Sequence, residues 1–102
     1  MTRPRLLATD RKAQILESAL LYAVANNFAQ ITFAAVGRLS GCGRTTVIYH
    51  FHSIVRLRSA VMRLAVKRGV FKVVAEGLVA RHSAALAAPD DLKARALASL
   101  RS

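Results

Sequence analysis

The stretch from Thr32 to Leu57, T-F-A-A-V-G-R-L-S-G-C-G-R-T-T-V-I-Y-H-F-H-S-I-V-R-L, decides how this chain folds. Its spacing of apolar, small and capping residues predicts two short helices joined by a tight turn and followed directly by a third. Thr32 caps the first helix, and Val36, Gly37 and Leu39 lie on it. Gly41-Cys42-Gly43 makes the turn. Gly41 can take the left-handed conformation that ends a helix, and Gly37, without a side chain, lets the two helices pack closely. Arg44 to Phe51 form the second helix, and Ser53 caps the third. Val47 falls on the inner face and anchors the second helix. Arg44, Thr45, Thr46, Ile48, Tyr49 and His50 gather toward the outer face or its edges. This is the helix-turn-helix layout, in which the second helix enters the major groove of DNA.

On these residues the chain resembles the DNA-binding domain of the TetR family of transcriptional regulators. Thr32, Ser40-Gly41, the run Thr46-Val47-Ile48-Tyr49-His50-Phe51 and Ser53 fall on the family pattern without a gap. Upstream, Ile15-Leu16-Glu17-Ser18-Ala19-Leu20 is similar to the family's first helix, and Asn27-Phe28 to its closing Gly-aromatic pair. The resemblance covers about residues 11 to 66. It departs at three places: Ile48 stands where the first Tyr of a pair is usual, Ile54 where a Lys follows the capping Ser, and Gly43 where a Ser cap is preferred. It implies an all-α head and a double-stranded DNA partner, with His50 donating to phosphate.

The residues divide by role along the second helix. Arg44, at its N-terminus, can reach guanine or phosphate. Thr45 and Thr46 can contact phosphate, and Thr45 can also meet a base edge or a thymine methyl. Tyr49 and His50 are expected to grip the backbone, while Val47 and Phe51 belong to the core.

Charge agrees with this reading. The chain carries 16 Lys+Arg against 5 Asp+Glu, a formal net charge of +11. Its distribution matters more than its sum. No acidic residue occurs between Glu17 and Glu76, and that interval holds Arg38, Arg44, Arg56, Arg58, Arg63, Lys67, Arg68 and Lys72. A basic field centred on a groove-entering helix is the footprint of a nucleic-acid binder.

Outward from the centre, residues 1–8 read as a flexible basic arm, with Arg3 and Arg5 free to reach phosphate or a minor groove. A first helix is expected from about Asp10 to Asn26, capped by Thr9 or Asp10, with Ile15, Ala19, Tyr22 and Ala23 facing the core beside Leu16 and Leu20. Phe28 packs back on the bundle. Beyond Ser53, Ile54, Leu57, Val61 and Leu64 form an apolar stripe, and Gly69 ends or bends that helix. Residues 9–68 are thus the expected DNA-binding domain, and residues 69–102 a helical extension. Pro89 breaks the extension, and Asp90 or Asp91 caps a last helix carrying Leu92, Ala96, Leu97 and Leu100 on one face.

The resembled family continues into a second domain that binds a small ligand and dimerises. Nothing of that size follows here, so no small-molecule effector is expected. The apolar surplus of the extension points instead to a homodimer joined through Val70, Phe71, Val74, Leu78, Leu97 and Leu100. A chain cut after Arg68 is then expected to remain a soluble monomer. The competing arrangement is one in which these residues fold back as a single monomeric core.

The sequence offers little for catalysis. It has no Gly-rich phosphate loop, and its five carboxylates are scattered. His50 and His52 lie two apart at a helix end with no third ligand near, so no metal and no cofactor is expected. His52 reads as a solvent-facing helix-end residue, His82 as an exposed loop residue, and Cys42 as a lone packed thiol. One cysteine and no apolar export segment fit a cytoplasmic protein, and no apolar run is long enough for a membrane span. The functional reading is a sequence-specific transcriptional regulator, a repressor on a palindromic operator. The alternatives are a basic amphipathic module for a membrane surface or partner helix, and a DNA-binding subunit of a replication or recombination complex.

Overall fold

The computed structural model describes residues 8–100. It is all-helical: seven α-helices and a single 3-10 turn, with no strand among the described residues. The helices are α1 (Ala8–Ala25), α2 (Phe33–Ser40), α3 (Arg44–Phe51), α4 (Ile54–Arg68), α5 (Phe71–Val79), α6 (Ser83–Leu86) and α7 (Asp90–Ser99), with the 3-10 turn at Phe28–Gln30. None of them is long and apolar enough to cross a membrane. Arg3 and Arg5 lie outside the described residues.

Capping chemistry sets most of the boundaries. Thr32 Oγ1 accepts from the Ala35 N–H at 3.1 Å, and Ser53 Oγ from the Arg56 N–H at 3.1 Å, each satisfying a first-turn donor. Asn27 does the same for the 3-10 turn, its Oδ1 accepting from Ala29 N–H at 2.8 Å. Helix α1 starts earlier than its sequence suggests. It begins at Ala8, so Thr9 and Asp10 lie inside it rather than at its cap. At the other end of the chain Pro89 occupies the cap of α7, and Asp90 and Asp91 move into the first turn, where their charge complements the helix dipole.

The core runs without interruption from Ile15 to Ala96. Ile15, Ala19 and Ala23 of α1, Val36 of α2, Val47 of α3, and Leu57, Val61, Met62 and Ala65 of α4 are fully buried. So are Val73, Val74 and Ala75 of α5, Ala85 of α6 and Ala96 of α7. This corrects one expectation for the extension: Val74 is wholly enclosed by this chain, so it has no surface to offer a second copy, whereas Leu78 is half-buried against the same core and keeps part of its surface. The apolar residues of α5 are used inward first, because α5 packs on α4 and α7 together. Cutting the chain after Arg68 would strip five fully buried side chains from the core and bare the α4 face beneath them, which argues against a soluble fragment.

Polar ties reinforce the junction. Lys72 Nζ donates to Ala23 O at 3.1 Å and Asn26 O at 3.3 Å, and pairs with Glu76 at 3.1 Å. Glu76 Oε1 in turn accepts the Phe28 N–H at 3.1 Å. His82 is not an exposed loop residue. It caps α6 with Nδ1 accepting from Ala84 N–H at 3.2 Å, and its ring meets Phe28 edge-on at 5.5 Å. Burial and the charge of Arg63 lower its pKa from the ordinary histidine value.

Candidate nucleic-acid interface

Two features hold α3 against α2. The first is the turn. Gly41 and Gly43 have φ of 76° and 83°, both in the region that disfavours side chains, and Gly43 N–H closes the turn onto Gly37 O at 3.1 Å. The second is the closeness of the two backbones. A Cβ on Gly37 would lie 2.5 Å from Gly43 C and 2.6 Å from Arg44 N, so only glycine allows this approach. Val47 and Phe51 then point inward at 0% and 3% exposure, which fixes the rotation of α3.

That rotation sends the other residues out. Arg44 and Thr45 are exposed, Thr46 and Ile48 are half-buried at the edges, and Tyr49 is 72% exposed. His50 is half-buried and meets the Tyr49 ring edge-on at 5.2 Å. Thr32 is exposed at the start of α2, where its oxygen serves as the cap; its O–H remains a donor. Gly43 provides no side-chain cap, so the first-turn N–H groups of α3 have no side-chain acceptor there, at the positive end of the helix. Cys42 is half-buried in the turn, its sulfur 3.0 Å from Ser40 Oγ.

The structure sorts the basic residues that composition lumps together. Arg68 is bound to Glu17, donating from Nη1 at 2.6 Å, and this partner holds the Glu17 carboxyl below its ordinary value. Lys72 pairs with Glu76. Arg58 turns inward and donates to Ile31 O at 3.0 Å and Ala29 O at 3.4 Å. Arg38, Arg44, Arg56, Arg63 and Lys67 form no ion pair among the described residues. Of the cations in the acid-free interval, the unpaired ones therefore belong to α2, α3 and α4, and Arg11, Lys12, Arg81 and Arg95 outside it also form no ion pair among the described residues.

One participant was missed in the sequence. Lys12 of α1 sits with Nζ 5.4 Å from the Phe51 ring centroid. With His50, His52, Arg56 and Arg63 it lines a groove of about 390 Å³. Its signal was present in the helical spacing, since Lys12 lies three residues before the buried Ile15 and so at the edge of the core face. His52 is exposed at the end of α3, as expected, and it also lines this groove, with a φ of 70°, unusual outside glycine. No cluster of three or more His, Cys, Asp or Glu that could hold a metal ion occurs among the described residues.

Comparison of the chain with known protein families, with curated proteins and with solved structures gives no match.

Proposed function

We propose that this chain is a sequence-specific binder of double-stranded DNA that regulates transcription, with α2 and α3 acting as a helix-turn-helix and α3 entering the major groove. The observation that carries the reading is the outer side of α3. A solvent-facing Arg44 and Thr45 stand at an uncapped helix N-terminus, Tyr49 projects one turn on, and unpaired arginines flank them on both neighbouring helices. Arginine and threonine at that end suit base edges in a groove, and the flanking cations suit phosphates. A solvated basic face needs neither the glycine-enforced approach of α2 to α3 nor an inward Val47.

A homodimer completes the proposal. Phe71, Leu97 and Leu100 are 37%, 46% and 54% exposed, and they supply the pairing surface without Val74. Two copies related by a two-fold axis would present their α3 helices about 34 Å apart, one turn of duplex. The test is selection of bound sequences from random duplex DNA with the full chain, followed by sedimentation with and without the selected site. A palindrome and a two-chain complex are expected. Recovery of unselected sequence, with binding that depends only on duplex length, would remove specific regulation.

A further inference from the structure

We infer that the groove between α1, the end of α3 and α4 is an anion site that takes a backbone phosphate of duplex DNA just outside the bases read by α3. The inference rests on the proposed DNA binding for its ligand, but the groove is argued from its own construction.

Five nitrogen-bearing side chains from three separate helices or their ends converge there. Lys12 comes from α1, His50 and His52 from the end of α3, and Arg56 and Arg63 from α4. Arg56, Ala60 and Arg63 follow the spacing of one helix face, and Ala60 between the two arginines keeps the groove open. No carboxylate lines it, and none of Lys12, Arg56 and Arg63 has an acidic partner among the described residues. A solvated face on a single helix would not gather cations from α1 and α4 around one depression. Like charges held together in this way repel each other until an anion enters.

Two interactions position the members. The Phe51 ring, itself anchored in the core, carries Lys12 on its face and so holds an α1 cation beside α3. The left-handed backbone at His52 turns the chain sharply between α3 and α4, with His52 N–H still bonded to Ile48 O at 2.7 Å. His50 belongs both to the groove and, through its 5.2 Å edge approach to Tyr49, to the outer side of α3. The groove is thus continuous with the surface proposed to meet DNA. A helix seated in the major groove has a phosphate strand on either side, and the strand on the α4 side would run into this opening.

The charge of the groove gives the experiment its readout. Each phosphate neutralised adds about 0.9 to the slope of log affinity against log salt. The full chain, Lys12→Gln, Arg63→Gln and the pair together are compared on two duplexes, one holding only the selected site and one extended by about half a turn, about 5 base pairs, at each end. Arg63→Gln alone is decisive if Lys12→Gln disturbs packing on Phe51, because Arg63 is exposed. On the extended duplex, affinity is expected to fall about tenfold, and the slope to become shallower by about 1 for each phosphate that is no longer neutralised. On the short duplex both should stay near the unchanged chain. Equal losses on the two duplexes, or no loss with the fold intact by circular dichroism, overturn the inference.

A second arm separates this inference from the reading on which it rests. Inorganic phosphate is titrated into the ¹⁵N-labelled full chain, and the amide signals of His52, Arg56 and Ala60 are expected to shift together and saturate. If the chain binds no duplex yet these signals saturate, the DNA reading falls and the groove stands as a phosphate site. If they do not move, the groove is not an anion site.

Discussion

Replacing Gly37 with alanine tests whether α3 is held where the interface requires it. Three backbone atoms of the following turn lie within 2.8 Å of the added Cβ: Gly43 C, Arg44 N and Gly43 O. Backbone cannot rotate away as a side-chain tip can, so the cost falls at the upper end for overpacking, about 3 kcal/mol. Moving the turn outward also weakens the Gly43 N–H bond to Gly37 O, worth about 1 kcal/mol. Alanine's better helix propensity returns about 1 kcal/mol. The net expectation is a loss of about 3 kcal/mol, which for a chain of this size lowers the melting temperature by about 12–24 °C. Thermal and urea melts followed by circular dichroism measure it. Gly41→Ala is the control: its φ of 76° is strained for alanine but open space surrounds it, so a smaller loss of about 1 kcal/mol follows. A Gly37→Ala chain as stable as the Gly41→Ala chain would refute the close approach of α2 and α3, and with it the fixed presentation of α3.

Gly77→Ala should cost about 1–3 kcal/mol: the flexible end of Met62 can swing aside, but Ala85 Cβ, 2.9 Å from the added methyl, can move only with its own backbone, so Met62→Leu should recover only part of the loss in the same melts. For His82, a folded-state pKa below the ordinary 6.5 means the unfolded chain binds the proton first, so stability is complete above that value and declines as pH falls through the lowered one. Melting temperature should therefore drop between neutral and mildly acid pH, and His82→Asn, which keeps an acceptor for Ala84 N–H, should flatten that drop. Glu17 is lowered by Arg68 from 4.5, so its contribution is present above that value and is lost only at more acid pH; Glu17→Gln should leave the histidine window unchanged. Arg44→Ala should weaken binding to the selected site by about 1–3 kcal/mol and relax preference at one position of each half-site. Equal loss on selected and random duplexes would reduce Arg44 to a phosphate ligand.

Local chemistry was the legible part of this sequence. Thr32 and Ser53 cap from their own side-chain oxygens, Gly41 ends a helix through its own backbone freedom, and Val47 and Phe51 follow from spacing, so each could be read from a few neighbouring residues. What could not be read depends on partners far along the chain. Val74 carries an apolar side chain on an amphipathic helix whichever way that helix faces, and only its packing on α4 and α7 makes it core. His82 is a cap because α6 forms, and a four-residue alanine-rich helix gives almost no periodic signal. Lys12 enters the groove because Phe51 meets it from a distant part of the chain, and the removal of Arg58, Arg68 and Lys72 from the free cations likewise needs three dimensions.

The bond from Phe28 N–H to Glu76 spans 48 positions of sequence. During synthesis at about 5–20 residues per second, the ribosome needs about 2–10 s to travel that distance. Until Glu76 emerges, the half-buried amide that opens the 3-10 turn after α1 has no acceptor, and the α4 face that Val73, Val74 and Ala75 will cover is open. The segment holding α2 and α3 therefore leaves the ribosome early but matures late. Its nascent form, already carrying most of the positive charge, would spend those seconds as a loosely packed polycation beside ribosomal and messenger RNA.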